Sequence, residues 1–308
     1  MVTVLLATYN GGKYLEEQLK SLIEQTYTDF KIVIRDDGSG DNTNEIISRY
    51  SSVFSEKITV CPSSEPTHSA AGNFFKLIEM YTDDYIMLCD QDDRWLPDKI
   101  EKTLSVMKAS EEKYGADTPI LVHTDLYVAD EKLSVISDSF IKYQGLSCDN
   151  TELNRLLMQN SVTGCTIMFN RALKEKLFVL PKVTAMHDWW LALIASAFGK
   201  IEFLNEPTIL YRQHGNNEVG AKDYKSLSFL IGRLKKISKA KETYKIISLQ
   251  AQFLLENYAE LLTLKQKKLL EAVATLPEKS KIEKIKTIRK HRLYKNTALR
   301  NLVQFILI

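Results

Sequence analysis

An order of buried strand, polar turn and amphipathic segment repeats through the first 93 residues and constrains the fold more than any other feature. Four apolar runs have the length and composition of strands, at 2–7, 30–35, 58–60 and 85–89. Segments with helical periodicity separate them. This alternation with short turns predicts an α/β fold with a mostly parallel sheet that helices cover on both faces. In such sheets, ligands bind beyond the carboxyl ends of the strands.

The fourth apolar run ends on three carboxylates within four residues, Asp90, Asp92 and Asp93. Like charges at such spacing repel by roughly 1 kcal/mol or more at intermediate dielectric, so a cation is expected nearby. Hard divalent cations bind carboxylate oxygens and share substrate phosphates, which predicts a metal–diphosphate site. Alternatively, the acidic turn only caps a helix that begins near 95–97. This stretch alone leaves both interpretations open.

Two other strand ends are polar, at 8–12 and 36–43. Their glycines match neither GxGxxG after a strand nor GxxxxGK(S/T), which argues against a dinucleotide-binding fold or a P-loop kinase. A phosphate partner would then bind through the carboxylate-bound metal. Asp36 and Asp37 could alternatively form a capped loop and nothing more.

One residue stands out in each of two later strands of the predicted sheet. Asp125 falls inside an apolar run at 120–128, so its carboxylate is either paired or on a cleft face. A predicted strand at 161–170 contains Gly164, as expected where another part of the chain approaches closely.

A predicted helix from 186 to 198 carries Asp188 in its first turn, where a capping role would suffice to explain it. Trp189 and Trp190 follow it and cannot both face the core, so at least one is expected to face a pocket, where aromatic rings pack on sugars. A short strand near 209–212 then runs into a polar loop with His214, which is either a surface residue or a phosphate or metal contact.

The charge of the chain changes sharply near residue 222. Residues 222–308 carry 20 basic and 7 acidic side chains, a net +13, whereas residues 1–221 carry 21 basic and 32 acidic, a net −11. We therefore predict two regions, a body of 1–221 and a basic region of 222–308 with three or four helices. Ile282, Ile285 and Ile288 follow one side of a cationic helix, and the apolar end at 302–308 is too short to cross a bilayer. The pattern suits a helix on an anionic membrane, or alternatively a stripe that packs on a neighbour or a second subunit.

Several features bear on the compartment. Residues 1–6 lack the basic segment of a signal peptide, and we expect no transmembrane span because no apolar run reaches ~20 residues. The four scattered cysteines lack CxxC spacing, which fits reduced thiols. We expect a cytoplasmic protein, peripheral on the inner face of the cell membrane.

Together, residues 1–217 resemble the family-2 glycosyltransferases, which have the Rossmann-like GT-A fold with a mixed, mostly parallel sheet. The motifs that carry this resemblance are Ala7–Gly11, Ile34–Ser39, Asp90–Asp93 and Asp188. The segments at 187–190 and 211–217 are similar, more narrowly, to bacterial rhamnosyltransferases of cell-surface polysaccharide synthesis. The basic helical region is the part least shared with the family.

The resemblance implies a role for each matching position. The nucleotide would be held by Thr8, Tyr9, Asn10, Asp37 and Asp90, with Asp37 accepting from the N3–H of a pyrimidine. Mg²⁺ or Mn²⁺ would be bound by Asp92, Asp90 and His214. The diphosphate or sugar would be contacted by Arg212, Asp125 and Asp93. Asp188 would be the catalytic base, and the acceptor would be contacted by Trp189, Trp190, Gly164 and His187. The family usually has Glu where this chain has His187.

The implied reaction is an inverting transfer in which Asp188 takes a proton from the acceptor hydroxyl. The metal would stabilise the leaving nucleoside diphosphate. The expected donor is dTDP-L-rhamnose, and the expected acceptor is a lipid-linked saccharide of the cell wall or capsule. The alternatives are a UDP-hexose donor, a sugar nucleotidyltransferase, and a nucleic-acid-binding module. The last is disfavoured by the acidic body, so no nucleic-acid partner is expected. A homodimer formed through the basic region stays open.

Overall fold

A computed structural model describes residues 1–62, 65–215, 220–221 and 237–308. The end of the 211–217 motif and the first part of the basic region lie outside these ranges. The predicted boundary at 221/222 lies at the edge of one of them.

A nine-stranded mixed sheet lies at the centre of the described chain. Its strands are β1 (Val2–Thr8), β2 (Phe30–Asp36), β3 (Ile58–Val60), β4 (Tyr85–Cys89), β5 (Arg94–Trp95), β6 (Ile120–Ala129), β7 (Val135–Ser137), β8 (Met168–Asn170) and β9 (Lys200–Arg212). Their order is β3-β2-β1-β4-β8-β6-β9-β5, with β7 paired to β6. The pairs among β1 to β4 and the pair β6–β9 are parallel, and the others are antiparallel. The predicted mixed α/β sheet is confirmed, although its parallel part is mainly the first four strands.

Helices cover both faces of this sheet. They are α1 (Leu15–Ile23), α2 (Thr43–Val53), α3 (Ala70–Met80), α4 (Lys99–Tyr114), α5 (Phe140–Gln144), α6 (Leu153–Leu156), α7 (Arg171–Lys176), α8 (His187–Phe198), α9 (Ile237–Asn257), α10 (Leu264–Ala274), α11 (Lys281–His291) and α12 (Ala298–Leu307). One core lies between the sheet and α1, α2 and α4, and the other lies between the sheet and α3 and α8.

The parallel register brings the polar strand ends to one edge of the sheet. Every residue of β1 is buried, and β1 lies between β2 and β4. Thr8 at its end pairs with Asp36 of β2, and Leu6 pairs with Cys89 of β4. The three polar turns predicted at 8–12, 36–43 and 90–93 therefore meet.

The predicted strand at 161–170 is only partly a strand. Residues Gly164–Thr166 form a turn of 3₁₀ helix, and β8 comprises the last three residues alone. The carbonyl of Thr163 accepts from both the backbone N–H (3.0 Å) and the hydroxyl (2.6 Å) of Thr166, and this closes the turn.

Four helices of the basic region, α9 to α12, lie within the described residues. They pack directly on the body: Ile247, Leu254 and Tyr258 belong to the same buried cluster as Trp190 and Leu193. None of the described helices combines the length and apolarity that crossing a bilayer requires.

The predicted apolar stripe of α11 is divided between core and solvent. Ile288 is fully buried in the α8 core, whereas Ile282 is 68% exposed. This stripe is therefore not one continuous membrane-facing surface.

Candidate active site

The polar edge of the sheet borders a cleft of about 700 Å³, a size typical of small-molecule sites. Three groups of residues far apart in the sequence line it. The first comprises Thr8, Tyr9 and Asp37, the second Asp90 and Asp92, and the third Gly164, His187, Asp188 and Trp189.

A buried ion pair fixes the end of the cleft expected to hold the nucleotide base. Nη1 of Arg35 donates to Oδ1 of Asp37 at 2.7 Å, and both side chains are almost fully buried. Asp37 also accepts from the backbone N–H (2.7 Å) and the hydroxyl (2.9 Å) of Thr67. Burial alone would raise the pKa of Asp37, but the bonds from Thr67 and Arg35 lower it below its usual value. The carboxylate is thus ionised, and Oδ2 accepts from Thr67 alone among the described partners, which leaves it capacity for a ligand N–H.

Two residues that sequence reasoning missed hold the loops around this end. Asn73 of α3 donates to the carbonyls of Thr8 (3.1 Å) and Arg35 (3.3 Å) and lines the cleft. Gln91 accepts from the N–H of Tyr9 at 2.8 Å and donates to its carbonyl at 2.9 Å. The signal for Asn73 was a polar residue inside an apolar helical pattern, and for Gln91 it was its place between two aspartates.

Asn10 links two of the polar turns. It has a positive φ of 48°, its N–H donates to Ser39 at 2.8 Å, and its side-chain oxygen accepts from Gly40 at 2.8 Å. Asn10 is exposed and is not among the residues that line the cleft, so in this structure it holds the two turns together.

The three clustered carboxylates separate into two that line the cleft and one beneath it. Asp90 and Asp92 line the cleft, whereas Asp93 is fully buried and accepts from the N–H of Arg212 at 3.1 Å. Burial and the neighbouring charges of Asp92 and Asp90 raise the pKa of Asp93 well above its usual range. Contrary to the sequence-based expectation, Asp93 lies below the place where a diphosphate or sugar would bind.

The carboxylates that line the cleft fit a hard divalent cation. Burial and the like charges of Asp92 and Asp188 raise the pKa of Asp90 to about 8, so a cation here would offset a real repulsion. Nε2 of His214 lies 2.8 Å from Oδ2 of Asp92, and its ring stacks on Tyr14. Asp90 and Asp92, with His214 beside them, could therefore hold Mg²⁺ or Mn²⁺.

A second group of possible metal ligands comprises Asp90, Asp93 and Cys165. Their ligand atoms all lie within 4.8 Å of one another. It fits such an ion less well, because burial raises the pKa of the Cys165 thiol well above its usual value and keeps it protonated.

Arg212 supports the acidic turn from behind instead of facing a diphosphate. Its side chain is buried and donates to the carbonyls of Asp92 (Nε, 2.8 Å) and Glu131 (Nη1, 2.6 Å) and to the carboxylate of Glu17 (Nη2, 2.5 Å). These contacts turn the guanidinium toward protein, and Arg212 is not among the residues that line the cleft, contrary to the position expected for a diphosphate contact.

Asp188 has the surroundings of a general base. It lies in the first turn of α8, and its Oδ2 accepts from the N–H of Gly164 at 3.0 Å. Its Oδ1 is buried and has no hydrogen-bond partner among the described residues. Burial raises the pKa of Asp188 to about 7, near the value at which a base works best at neutral pH.

His187 lies beside this base with an unusual lack of partners. Its ring is 3% exposed, stacks on Phe74 with centroids 4.1 Å apart, and lines the cleft. Neither ring nitrogen has a hydrogen-bond partner within the described part of the chain, and burial lowers the pKa of His187 to about 3, so the imidazole is neutral. A Cβ on Gly164 would lie 2.9 Å from Nε2, so this position needs glycine.

The two adjacent tryptophans face different surroundings, as their spacing of about 100° around a helix requires. Trp189 lines the cleft and donates its indole N–H to Leu156 at 2.6 Å. Trp190 is fully buried and packs edge-on against Phe253 of α9. The expectation that one tryptophan faces a pocket agrees with Trp189, and the acceptor contact predicted for Trp190 is replaced by a core position.

Asp125 is paired within the fold. Its carboxylate accepts from the hydroxyl of Ser139 and the N–H groups of Phe140 (3.1 Å) and Ile141 (3.2 Å), at the start of α5. It is 3% exposed, so it holds α5 on β6 and does not reach the diphosphate or sugar.

The fold and the site define a class of protein: a transferase of GT-A type with a carboxylate pair and a buried aspartate in one cleft. A family model, Glycosyl transferase family 2, matches residues 3–174, and the chain belongs to this family. The chain is 31% identical to the dTDP-rhamnosyl transferase RfbG of Shigella flexneri over 230 residues, which cover 70% of this chain and 74% of that protein.

Solved structures show the same fold. TarS 1–349 from S. aureus in complex with UDP has a TM-score of 0.55 at 16% identity, covering 94% of this chain and 89% of that one. The mannosyltransferase PcManGT from Pyrobaculum calidifontis, in complex with GDP-Man and Mn²⁺, has a TM-score of 0.51 at 16% identity, covering 98% and 86%. The predicted family and GT-A fold are confirmed. The nucleotidyltransferase and nucleic-acid-binding alternatives find no support.

Proposed function

We propose that this glycosyltransferase moves L-rhamnose from dTDP-L-rhamnose to a lipid-linked saccharide, with inversion at the anomeric carbon, in cell-wall or capsular polysaccharide synthesis. The observation that carries the proposal is a single cleft that holds Asp188, with its one oxygen lacking a described partner, together with Asp90 and Asp92. The choice of donor is supported by the similarity to the rhamnosyl transferase of Shigella flexneri.

Inversion follows from how the carboxylates are distributed. Those that line the cleft are Asp37, Asp90, Asp92 and Asp188 within the described chain. Asp37 is engaged by Arg35 and Thr67, and Asp90 and Asp92 are the pair suited to a cation. Asp188 alone remains to take the proton from an acceptor hydroxyl, and a single displacement that inverts the anomeric carbon needs no other carboxylate.

The chain itself binds and orients the substrates in this proposal. Thr8, Tyr9 and Asp37 position the base of the nucleotide, and Asp90 and Asp92 hold Mg²⁺ or Mn²⁺. When bound, this cation stabilises the charge that develops on the leaving nucleoside diphosphate. The N–H of Gly164 holds Oδ2 of Asp188, which leaves Oδ1 as the oxygen that would take the proton of the acceptor hydroxyl.

The residues proposed to contact the acceptor offer the two kinds of surface that a saccharide needs, one aromatic and one that forms hydrogen bonds. Trp189 offers an aromatic surface, and the neutral ring of His187 offers one N–H donor and one acceptor nitrogen. A lipid-linked acceptor would also give the basic helical region a purpose, since it would hold the protein at the cytoplasmic face of the membrane.

A UDP-hexose is the second candidate donor, because a neighbour with the same fold was solved in complex with UDP. Calorimetric titration with dTDP and with UDP, each with and without Mn²⁺, separates the two. Metal-dependent binding that favours dTDP supports rhamnose, and a preference for UDP replaces it with a UDP-sugar. The Asp92→Asn variant should lose the metal-dependent part. If the folded protein binds neither nucleotide, the proposed donor site is wrong.

A further inference from the structure

The last described helix, α12, presents an apolar stripe to solvent. Leu299, Leu302 and Ile306 are 38%, 58% and 52% exposed, and their spacing places them on one face. The opposite face is buried through Arg300 and Gln304, which are 5% and 2% exposed. Single exposed apolar residues are ordinary, but an aligned set on one helix indicates a contact surface.

Lys281, at the start of the cationic helix α11, lies at one end of this stripe. Nζ of Lys281 donates to the carbonyl of Ile306 at 3.2 Å, so the start of α11 lies against the end of α12. Exposed residues of α11 include Lys281, Lys286, Arg289 and Lys290, whereas Glu283 is its one exposed acidic residue. An apolar stripe with Lys281 at its end, on a region whose neighbouring helix exposes more cations than anions, is complementary to an anionic lipid surface.

The same helix is attached to the wall of the cleft. Arg300 donates to the carbonyls of Gln144 (2.5 Å) and Gly145 (3.2 Å), and Gln144 lines the cleft. Just before α12, the N–H of Asn296 donates to the side chain of Gln159, another lining residue, at 3.1 Å. Both lining residues lie between Asp125 and Asp188 in the sequence, in the region that also contributes Gly164 to the cleft.

We propose that the exposed face of α12, defined by Leu299, Leu302 and Ile306 with Lys281 at its edge, docks on an anionic bilayer. This inference deepens the proposed function and rests on its lipid-linked acceptor. Docking through a helix that is bonded to the cleft wall brings the membrane close to the cleft. An acceptor sugar on a membrane-embedded lipid can then reach Asp188 while its lipid stays in the bilayer.

The test uses the full chain and two kinds of vesicle, one of phosphatidylglycerol and phosphatidylcholine in equal parts and one of phosphatidylcholine alone. Sedimentation with vesicles is compared for the wild type, Leu302→Glu/Ile306→Glu and the control Val53→Glu/Met80→Glu. The control residues are 68% and 51% exposed on other helices. We expect binding to the anionic vesicles, a roughly tenfold or greater loss in the α12 variant, and no loss in the control.

Each other outcome overturns the inference. These outcomes are no binding by the wild type, equal binding to both kinds of vesicle, and unchanged binding by the α12 variant. Analytical ultracentrifugation adds one more: a dimer that the α12 variant abolishes would assign this face to a second copy of the chain. Titration of the same samples with dTDP distinguishes a failure of the docking proposal from a failure of the proposed function. The α12 variant should bind dTDP as the wild type does.

Discussion

Asp188 is held in an environment that favours its neutral form, yet its proposed work requires the charged form. Burial leaves one oxygen without a described partner and raises its pKa to about 7. A raised carboxyl pKa in the folded state means that the ionised group costs stability as pH rises from the unfolded value toward about 7. A cost of this kind at a cleft is typical of a functional group.

The activity should therefore fall on the acid side of pH 7. Because a base must be ionised, kcat/KM for the acceptor at saturating donor should fall about tenfold per pH unit well below the pKa and level off above it. Asp188→Asn should lower kcat by roughly 10²–10⁴-fold at every pH. The same variant should melt at a higher temperature than the wild type above pH 7, because it removes a buried charge.

Asp117→Asn, which changes an exposed aspartate, serves as the control and should keep the wild-type profile. A wild-type profile that stays flat down to about pH 5.5 would contradict the role of Asp188 as the base.

His187 is a second residue with buried polar atoms that lack a hydrogen-bond partner among the described residues. A buried polar group without a partner costs about 1–3 kcal/mol, and an acceptor hydroxyl could supply the missing bond. His187→Ala should raise the acceptor KM about fivefold, the equivalent of about 1 kcal/mol, with little change in the Kd of the nucleotide. His187→Gln keeps a polar group in the same direction and should recover most of the loss. Steady-state kinetics with varied acceptor give both values. Equal losses of kcat in the two variants, with KM unchanged, would assign the ring to packing on Phe74 only.

At the scale of elements, Arg212 shows how the end of one strand supports the loop after another. Arg212 closes β9, and its guanidinium donates to the carbonyl of Asp92 beyond β4. Arg212→Lys keeps the charge but not the planar set of donors. It should lower the free energy of unfolding by about 2–4 kcal/mol, because buried carbonyls lose partners.

The Arg212→Lys variant should also weaken Mn²⁺-dependent nucleotide binding, since the acidic turn loses its support. Urea unfolding and calorimetry measure the two effects. If the variant has normal stability but binds nucleotide weakly, the hypothesis that Arg212 contacts the diphosphate directly would be supported instead.

These elements also show what could be predicted from the sequence. The strands and their polar ends follow from patterns within ten residues, so the sheet edge and the carboxylates at 90–93 were predicted correctly as a cluster. The direction of each side chain depends on distant partners. Arg212 binds Glu17 and Glu131, 195 and 81 positions away, and Trp190 packs on α9, which no local pattern connects to it. For the same reason, the sequence alone could not show that Asp93 is buried whereas Asp92 lines the cleft.

At the scale of the whole molecule, the basic region is part of the fold's core and contacts segments that line the cleft. Tyr258 donates its hydroxyl to the carbonyl of Lys176 at 2.8 Å and packs against Phe198. Gln250 accepts from the hydroxyl of Thr184 (2.8 Å) and the N–H of Ala185 (2.9 Å), in the segment that leads into α8. The helices of the basic region, which lie beyond the residues matched by the family model, thus help to place Asp188.

A chain cut to residues 1–221 should therefore fail to form a stable catalytic domain. The cut removes the partners of Trp190 and the apolar side chains of α9, each worth about 1.5–3 kcal/mol when buried, against a typical total stability of about 5–15 kcal/mol. We expect no cooperative thermal transition and no dTDP binding for the fragment, while the full chain shows both.

Gln250→Ala in the full chain separates packing from positioning. It removes the two bonds to the segment before α8 but leaves the apolar contacts, so it should retain the thermal transition and lose several-fold in kcat. If the 1–221 fragment instead melted cooperatively and bound nucleotide, the basic region would be a separable appendage, and its helices would have to be explained by docking alone.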